Sequence, residues 1–168
     1  MKAPSIQSAQ TKKMSFGTPP GIPAFVTEAS SLSRIDYGDQ FHIHTSRSLS
    51  AEQWMREVFG DTPSFGQKFI WAGLLGLALH DGKSTSTIAG WQITGRGTNW
   101  VRIENRSWFL AANLICRIAG NDLSVTTVLR YDHWFGRWWW PPLAVVHRSL
   151  VPRLLRQATQ HKKPLERQ

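Results

Sequence analysis

The sequence has one cysteine, no long apolar run and no metal-binding pattern, and each shortage excludes a class of protein. Cys116 has no partner for an internal disulfide, and no Cys-x-x-Cys or Cys/His spacing predicts a metal centre. The longest apolar run, residues 69–79, is far shorter than the about 20 residues of a membrane-spanning helix. We interpret this run as a buried helix. The N-terminal residues also lack the apolar segment of a secretory signal, so we expect a cytoplasmic protein.

Acidic residues are also scarce, 11 Asp and Glu against 20 Lys and Arg, which gives a net charge of +9. The excess lies at the two ends: residues 1–13 carry +3, residues 148–168 carry +5, and the residues between carry +1. Charged ends are typically solvated, and no nucleic-acid-binding motif accompanies them. We therefore expect no nucleic acid partner, and at most weak contact with an anionic membrane.

Composition predicts one domain with a tail at each end. Residues 1–30 are rich in Pro, Ser, Thr, Gly, Gln and Lys without periodicity, which indicates a disordered or loosely attached N-terminal tail. Residues 31–160 are predicted to form a single domain, and residues 161–168 a basic C-terminal tail.

Alternating apolar and polar residues predict an antiparallel sheet. In DYGDQFHIHT, Phe41 and Ile43 alternate with His42 and His44, as in a half-buried strand. Four further strands follow residue 86 and are separated by short turn-type connections. Their sequences are TIAGWQIT, NWVRIE, SWFLAANLICR and LSVTTVLRY.

The same alternation assigns the faces of the last two strands. One parity is apolar and should face the core, while the other should face water. Cys116 falls on the apolar parity, which indicates a core thiol and not a nucleophile. The inward positions are Trp108, Leu110, Leu114, Cys116, Leu123, Val125, Thr127, Leu129 and Tyr131.

Two capping boxes predict two short helices after the first strand. Ser50 with Gln53, and Ser64 with Gln67, each match Ser-x-x-Gln, in which both side chains bind backbone donors of the first turn. The first helix should stop at Gly60, and the second should extend to about Leu79.

The C-terminal segment predicts a long amphipathic helix to about Gln160, with Pro141 and Pro142 in its first turn. His147 lies within the apolar stripe, whereas Arg148 lies outside it. A buried imidazole needs a partner, since an unsatisfied polar group costs about 1 to 3 kcal/mol. Three interpretations stay open: a core histidine bonded to the sheet, a polar group presented to a ligand, or a catalytic base.

This order of elements predicts an α+β domain in which a long C-terminal helix lies across a curved antiparallel sheet. Four features carry a family likeness: the motif DYGDQF at 36–41, the motif SVTTVLRY at 124–131, Gly136, and the pair His147-Arg148. The chain resembles a family of unknown function in the START/SRPBCC helix-grip superfamily, whose members also occur fused behind NAD(P)-binding, epimerase-like domains. No Gly-x-Gly-x-x-Gly follows a strand here, so we expect no such domain and no cofactor.

The resemblance implies a cavity between the sheet and the last helix, which holds lipids, hormones or polyketides in relatives. Inward positions of this chain would line it with apolar side chains, as in most small-molecule sites. We therefore predict binding of a small hydrophobic or aromatic molecule, with His147 and Tyr131 as polar anchors. The predicted contacts are Trp91, Trp108, Leu110, Val125, Thr127, Leu129, Tyr131, His147 and Leu150.

Two other functions stay open. The same cavity could serve an enzyme of the cyclase, dehydratase or isomerase type, with His147 as acid or base beside Asp132 or Tyr131. The sequence has no paired carboxylates and no nucleophile motif, and no third metal ligand accompanies His42 and His44. The sequence therefore favours a binding protein over an enzyme. Alternatively, Trp138–Trp140 beside a basic helix could rest on a membrane surface.

Overall fold

The computed structural model describes residues 12–16 and 21–160, with side chains from residue 21 onward. Within them the chain is α+β, with a curved, open antiparallel sheet and a long C-terminal helix, as predicted. Most of the predicted N-terminal tail, residues 1–11 and 17–20, and the predicted C-terminal tail at 161–168 lie outside the described residues.

The described residues form seven strands, four α-helices and one π-helix. The strands are β1 Lys12–Phe16, β2 Tyr37–His44, β3 Thr87–Ile88, β4 Trp91–Arg96, β5 Trp100–Arg106, β6 Leu110–Ala119 and β7 Asp122–Tyr131. The helices are α1 Ala24–Ala29, α2 Ala51–Phe59, α3 Phe65–Lys68 with a π-helix at Phe69–Leu74, and α4 Trp134–Gln160.

The sheet has the strand order β1-β2-β7-β6-β5-β4-β3, and every neighbouring pair is antiparallel. The strands from β3 to β7 form a meander, and the short turns from β4 to β7 are those that the turn residues predicted. The predicted strand TIAGWQIT is wrong as a single strand, because a turn at Ala89 and Gly90, both with positive φ, divides it into β3 and β4. β2 pairs with β7, so the first long strand of the chain lies beside the last strand in the sheet. Asp39 and Thr127 face each other in this register, which places both on adjacent central strands.

Both capping boxes form, at Ser50 with Gln53 and at Ser64 with Gln67. The second helix is shorter than predicted, because it becomes a π-helix at Phe69 and ends at Leu74 instead of Leu79. Gly76 adopts a left-handed φ of 62°, a conformation that ends a helix. The apolar run at 69–79 is therefore not a buried helix: its helical part contains no buried residue.

α4 begins at Trp134, so Pro141 and Pro142 lie inside the helix and not in its first turn. Both prolines are exposed, where water can satisfy the carbonyl groups that they leave free. The predicted end near Gln160 is confirmed.

The main core lies between the inner face of the sheet and the layer formed by α2, the π-helix and α4. Phe41 and Ile43 of β2 point into it, as their alternation predicted, and so does Cys116. Burial raises the pKa of the Cys116 thiol, which keeps it protonated.

The outer face of the sheet is covered and not, as the alternation suggested, turned toward water. Val128 and Ile115 are fully buried beneath α1, where Val26 is fully buried as well. Residues 21–30, which composition assigned to a disordered or loosely attached tail, therefore pack on the sheet, and residues 12–16 of the same predicted tail pair with β2 as β1. The alternation within each strand does not reveal this cover, because the covering residues are distant from the strands in sequence. They are also too few to show a helical period of their own.

Polar contacts hold this N-terminal segment in place. The side-chain oxygen of Asn113 on β6 accepts hydrogen bonds from Ser30 Oγ and from the backbone N–H of Ser31, at 3.0 and 2.9 Å. Arg102 on β5 donates to the carbonyl oxygen of Ala29 at 2.6 Å. Asn113, predicted to face water, is buried because the segment lies over it.

Substitution of Val26 tests whether residues 21–30 stabilise the domain. Val26→Ala removes two methyl groups from a fully buried site and should lower the free energy of unfolding by about 1 to 3 kcal/mol, measured by urea denaturation. Val145→Ala makes the same change on an exposed side chain and should cost less than about 0.5 kcal/mol. Equal stability of both variants would mean that the segment is not docked in solution.

Candidate functional site

A cavity of about 380 Å³ lies between the inner face of the sheet and α4. The sheet provides its floor through β4, β6 and β7, and α4 provides its roof. The α3 and π-helix segment closes one side. The lining residues include Trp91, Leu110, Ala112, Leu114, Thr127 and Leu129 from the sheet, and Trp140, Leu143, Val146, His147, Leu150, Val151 and Leu154 from α4.

The wall is almost entirely apolar. The helical segment on the third side contributes further large side chains, among them Phe69, Ile70, Trp71 and Leu74. Gln67, which also lines the cavity, donates to the carbonyl oxygen of Phe59 at 3.0 Å, so its amide group is already engaged. The polar groups left in the wall are Thr127, His147 and the indole N–H groups.

His147 reaches the sheet from the middle of α4. Its Nε2 lies 3.0 Å from Thr127 Oγ1 and 3.3 Å from Asp39 Oδ1. The ring packs against Trp140 and Phe41, with centroid separations of 5.6 and 6.4 Å. Its side chain keeps 18% of its exposure, whereas Asp39 is fully buried. The predicted inward position of His147 is confirmed.

Asp39 belongs to a chain of polar contacts that runs from the cavity wall to the edge of α4. The Tyr37 hydroxyl donates to Asp39 Oδ2 at 2.6 Å, and Arg148 Nε donates to the Tyr37 hydroxyl oxygen at 3.1 Å. The Arg148 guanidinium also lies 5.6 Å from the centre of the Tyr37 ring. Asp39 therefore has a partner on each carboxylate oxygen, as a buried carboxylate requires.

These contacts determine whether Asp39 and Tyr37 are ionised. Burial alone would raise the pKa of Asp39, but hydrogen bonds from His147, Tyr37 and Thr127 and the charge of His147 hold it below its usual value. Burial and the Asp39 charge raise the pKa of Tyr37. Asp39 is thus a carboxylate at neutral pH, and Tyr37 is a neutral phenol.

The ionised Asp39 fixes the tautomer of His147. A carboxylate only accepts hydrogen bonds, so Nε2 of His147 carries a proton and donates it toward Asp39 Oδ1. In the neutral ring, Nδ1 is then the atom that accepts a proton or a hydrogen bond. Among the described residues, none bonds to Nδ1.

Two tryptophans of the cavity wall have unpaired indole N–H groups. Trp91 and Trp140 are both buried, and neither Nε1 atom has a hydrogen-bond partner within the described part of the chain. Each unmade bond costs about 1 to 3 kcal/mol. A ligand that carries an acceptor atom would relieve this cost if the indoles turned toward it.

Six of the nine residues predicted to contact a ligand line the cavity: Trp91, Leu110, Thr127, Leu129, His147 and Leu150. Val125 is fully buried in the solid core beside it. Trp108 is 66% exposed, so its predicted inward position is wrong. β6 begins only at Leu110, and Trp108 lies in the turn before it, where strand alternation does not apply.

Tyr131 and Asp132 lie away from the cavity. Tyr131 packs against Gly136 and lines a separate shallow pocket with Asp36 and Arg137. Burial and the nearby Asp36 charge raise the pKa of Tyr131 to about 12. Asp132 accepts a hydrogen bond from Arg130 at 2.6 Å. Neither residue lies in the cavity wall, and the polar groups that contact His147 are Asp39 and Thr127 instead.

Sequence reasoning missed Asp39, Tyr37 and Trp140 as parts of the site. Asp39 and Tyr37 share the parity of Phe41 and Ile43, so the alternation of β2 already placed a carboxylate on the core side. Such a position is a signal, because a buried carboxylate needs specific partners. No comparable signal singles out Trp140 from the neighbouring indoles.

His42 and His44 gain no third ligand in the fold: among the described residues, no three His, Cys, Asp or Glu side chains come together to hold a metal ion. No described helix is both long and apolar enough to cross a membrane.

Comparisons with protein-family models, curated proteins and solved structures give no match to this chain. The resemblance to the START/SRPBCC superfamily therefore stays a prediction that depends on the motifs named above.

Replacing Asp39 tests the buried network through its pH dependence. Because folding lowers the pKa of Asp39, its contribution to stability is present above about pH 4 and is lost as the pH falls through the lower folded-state value. Asp39→Asn should lower the free energy of unfolding at pH 7 by about 1 to 3 kcal/mol, with a difference from wild type that shrinks below about pH 4.

Urea denaturation across a pH series measures both effects. Asp122→Asn serves as the control, since it removes an exposed carboxylate whose ion-pair partner among the described residues is His44. A difference between Asp39→Asn and wild type that stays constant down to acid pH would contradict the ionised network.

Proposed function

We propose that the protein binds a small, uncharged hydrophobic or aromatic molecule in the cavity between the sheet and α4, in a helix-grip arrangement. The observation that carries this proposal is an apolar cavity of about 380 Å³ with few polar groups in its wall. Ligand pockets typically occupy about 300 to 1,000 Å³ and combine apolar walls with few polar groups. The helix-grip fold itself is part of the proposal.

The charges around the cavity favour an uncharged ligand. Asp39 and His147 engage each other, and Arg148 is held at the far end of the network by Tyr37. No unpaired charged side chain lines the cavity among the described residues. A charged ligand would have to leave water without a counter-charge, which is costly in an apolar site.

Hydrogen bonding adds a second requirement. Thr127 Oγ1 and His147 belong to the wall, and the adjacent Trp140 has an unpaired N–H group. We therefore infer a ligand with at least one oxygen or nitrogen acceptor, such as a ketone, phenol or alcohol on a hydrocarbon or aromatic frame.

Binding can be measured without knowing the ligand. Native mass spectrometry of the purified protein should detect a retained small molecule, and a panel of aromatic metabolites and long-chain ketones and alcohols should include compounds that raise the melting temperature. The fluorescent probe 1-anilinonaphthalene-8-sulfonate, although charged, reports an accessible apolar cavity. Leu150→Trp adds bulk to the cavity wall and should weaken binding of neutral panel compounds about tenfold or more.

A matched variant separates loss of the cavity from a general effect of tryptophan. Gln157→Trp adds an indole to an exposed position of the same helix and should leave affinity unchanged. Equal affinities of wild type and Leu150→Trp, or the absence of any stabilising compound and retained molecule, would refute the proposal.

A second candidate function is acid–base catalysis in the same cavity. The contact between His147 Nε2 and the buried Asp39 carboxylate, at 3.3 Å, favours it, since a carboxylate that orients a histidine is a recurrent arrangement in enzymes. Asp39 would be a positioning residue, and Nδ1 of His147 would transfer the proton. An isomerisation, dehydration or cyclisation of an enolisable carbonyl compound fits one such group.

The catalytic candidate has its own test. Compounds that bind are incubated with the protein and analysed by mass spectrometry and NMR for isomerised or dehydrated products. His147→Gln should reduce the rate about 100-fold or more while retaining binding, and Asp39→Asn should change the pH profile of the rate. Ligands recovered unchanged from wild type would exclude catalysis on them and leave the binding proposal intact.

A further inference from the structure

We propose that the outer surface of α4 and the adjoining α3 and π-helix segment form a docking surface for an anionic lipid bilayer, placed at the mouth of the cavity. This inference does not depend on the proposed function, because it rests on exposed side chains and charge and not on what the cavity holds.

The first observation is a stripe of exposed apolar residues on α4. Trp138 is 77% exposed, and Trp134 and Val145 are each 67% exposed. At 100° per residue the three lie within about 40° of one line along the helix, opposite His147. They span about three helical turns. Three large apolar side chains on one line of solvent-facing helix need an explanation beyond the scattered exposure that is normal for surfaces.

The second observation is continuity between this stripe and the cavity. Phe69 of the π-helix and Val146 of α4 both line the cavity and are also 60% and 46% exposed. They mark the two sides of its mouth. Phe65, which is 89% exposed, lies one turn before Phe69 on the same segment. Trp139 Nε1 donates to the Leu74 carbonyl oxygen at 2.8 Å and holds the two sides together.

The third observation is the charge of the two elements that border the mouth. α4 contains four arginines and no acidic residue. Residues 62–80 contain one lysine, Lys68, which pairs with Asp81 at 3.2 Å, and no acidic residue. Within the described chain, Arg153 and Arg156 form no salt bridge. On the helix Arg156 continues the line of the apolar stripe toward the C-terminus, and Arg153 lies about 80° from the middle of that line.

This combination fits a membrane surface in particular. Indole rings concentrate at the lipid–water interface, where their apolar face and polar N–H group are both satisfied. Basic side chains beside them add attraction to anionic lipid head groups. The apolar residues at the cavity mouth would then face the acyl chains, from which an apolar molecule could pass into the cavity without crossing water.

Vesicle flotation of the full chain tests the proposal. The protein should float with vesicles of phosphatidylcholine and phosphatidylserine, and less with phosphatidylcholine alone or at high salt. The double variant Trp134→Ser/Trp138→Ser should lower the partition coefficient about tenfold or more. Arg153→Gln/Arg156→Gln should lower it by about 30-fold on the anionic vesicles only.

Controls separate docking from misfolding and from a protein partner. Arg106→Gln removes one charge from an exposed site on β5 and should leave flotation unchanged. Unchanged melting temperatures would show that the surface variants fold. Absence of flotation on both vesicle types, or equal flotation of Trp134→Ser/Trp138→Ser, would overturn the proposal. So would a dimer in sedimentation velocity that this variant abolishes, because the stripe would then join two copies of the chain.

Discussion

The contact between His147 and the buried Asp39 carboxylate fixes how α4 lies on the sheet. A fully buried carboxylate must keep its hydrogen-bond donors, so the helix cannot slide or rotate without losing a costly interaction. Moving the helix by one residue would bring Val146 or Arg148 to this position, and neither could bridge Asp39 and Thr127 in the same way. The register of the roof of the cavity therefore depends on this pair.

The same helix explains why space remains beneath it. α4 is held on one side of His147 by Trp140, which packs on Tyr37, and on the other side by Leu155 and Ala158 in the core. Arg47 also donates to the Ala158 carbonyl oxygen at 2.8 Å. Between these anchors the cavity-lining leucines of the helix are only partly buried, so the helix bridges the sheet without filling the gap.

Under the two proposals, α4 has a separate task on each side. Its inner side carries His147 and Leu150 over the cavity, and its outer side carries Trp134, Trp138 and Val145 toward solvent. A single apolar stripe could not cover the sheet and contact a membrane at once. The tryptophans at 138–140 contribute to both sides of α4, because Trp140 is buried while Trp138 is exposed.

The sequence by itself determined most of the strands, the starts of both capped helices, the long last helix and the inward position of His147, because alternation, capping residues and helical spacing are local properties. It missed β1, the division between β3 and β4, and the early end of the second capped helix. Only the tertiary structure decided the rest. Asp39 meets His147 across 108 residues of chain, and α1 buries the outer face of the sheet through equally distant contacts. Trp108 and Tyr131 were assigned to the cavity by parity alone, but the start of β6 and the packing against Gly136 direct them elsewhere. Such contacts depend on which elements pack together, and no local pattern records that choice.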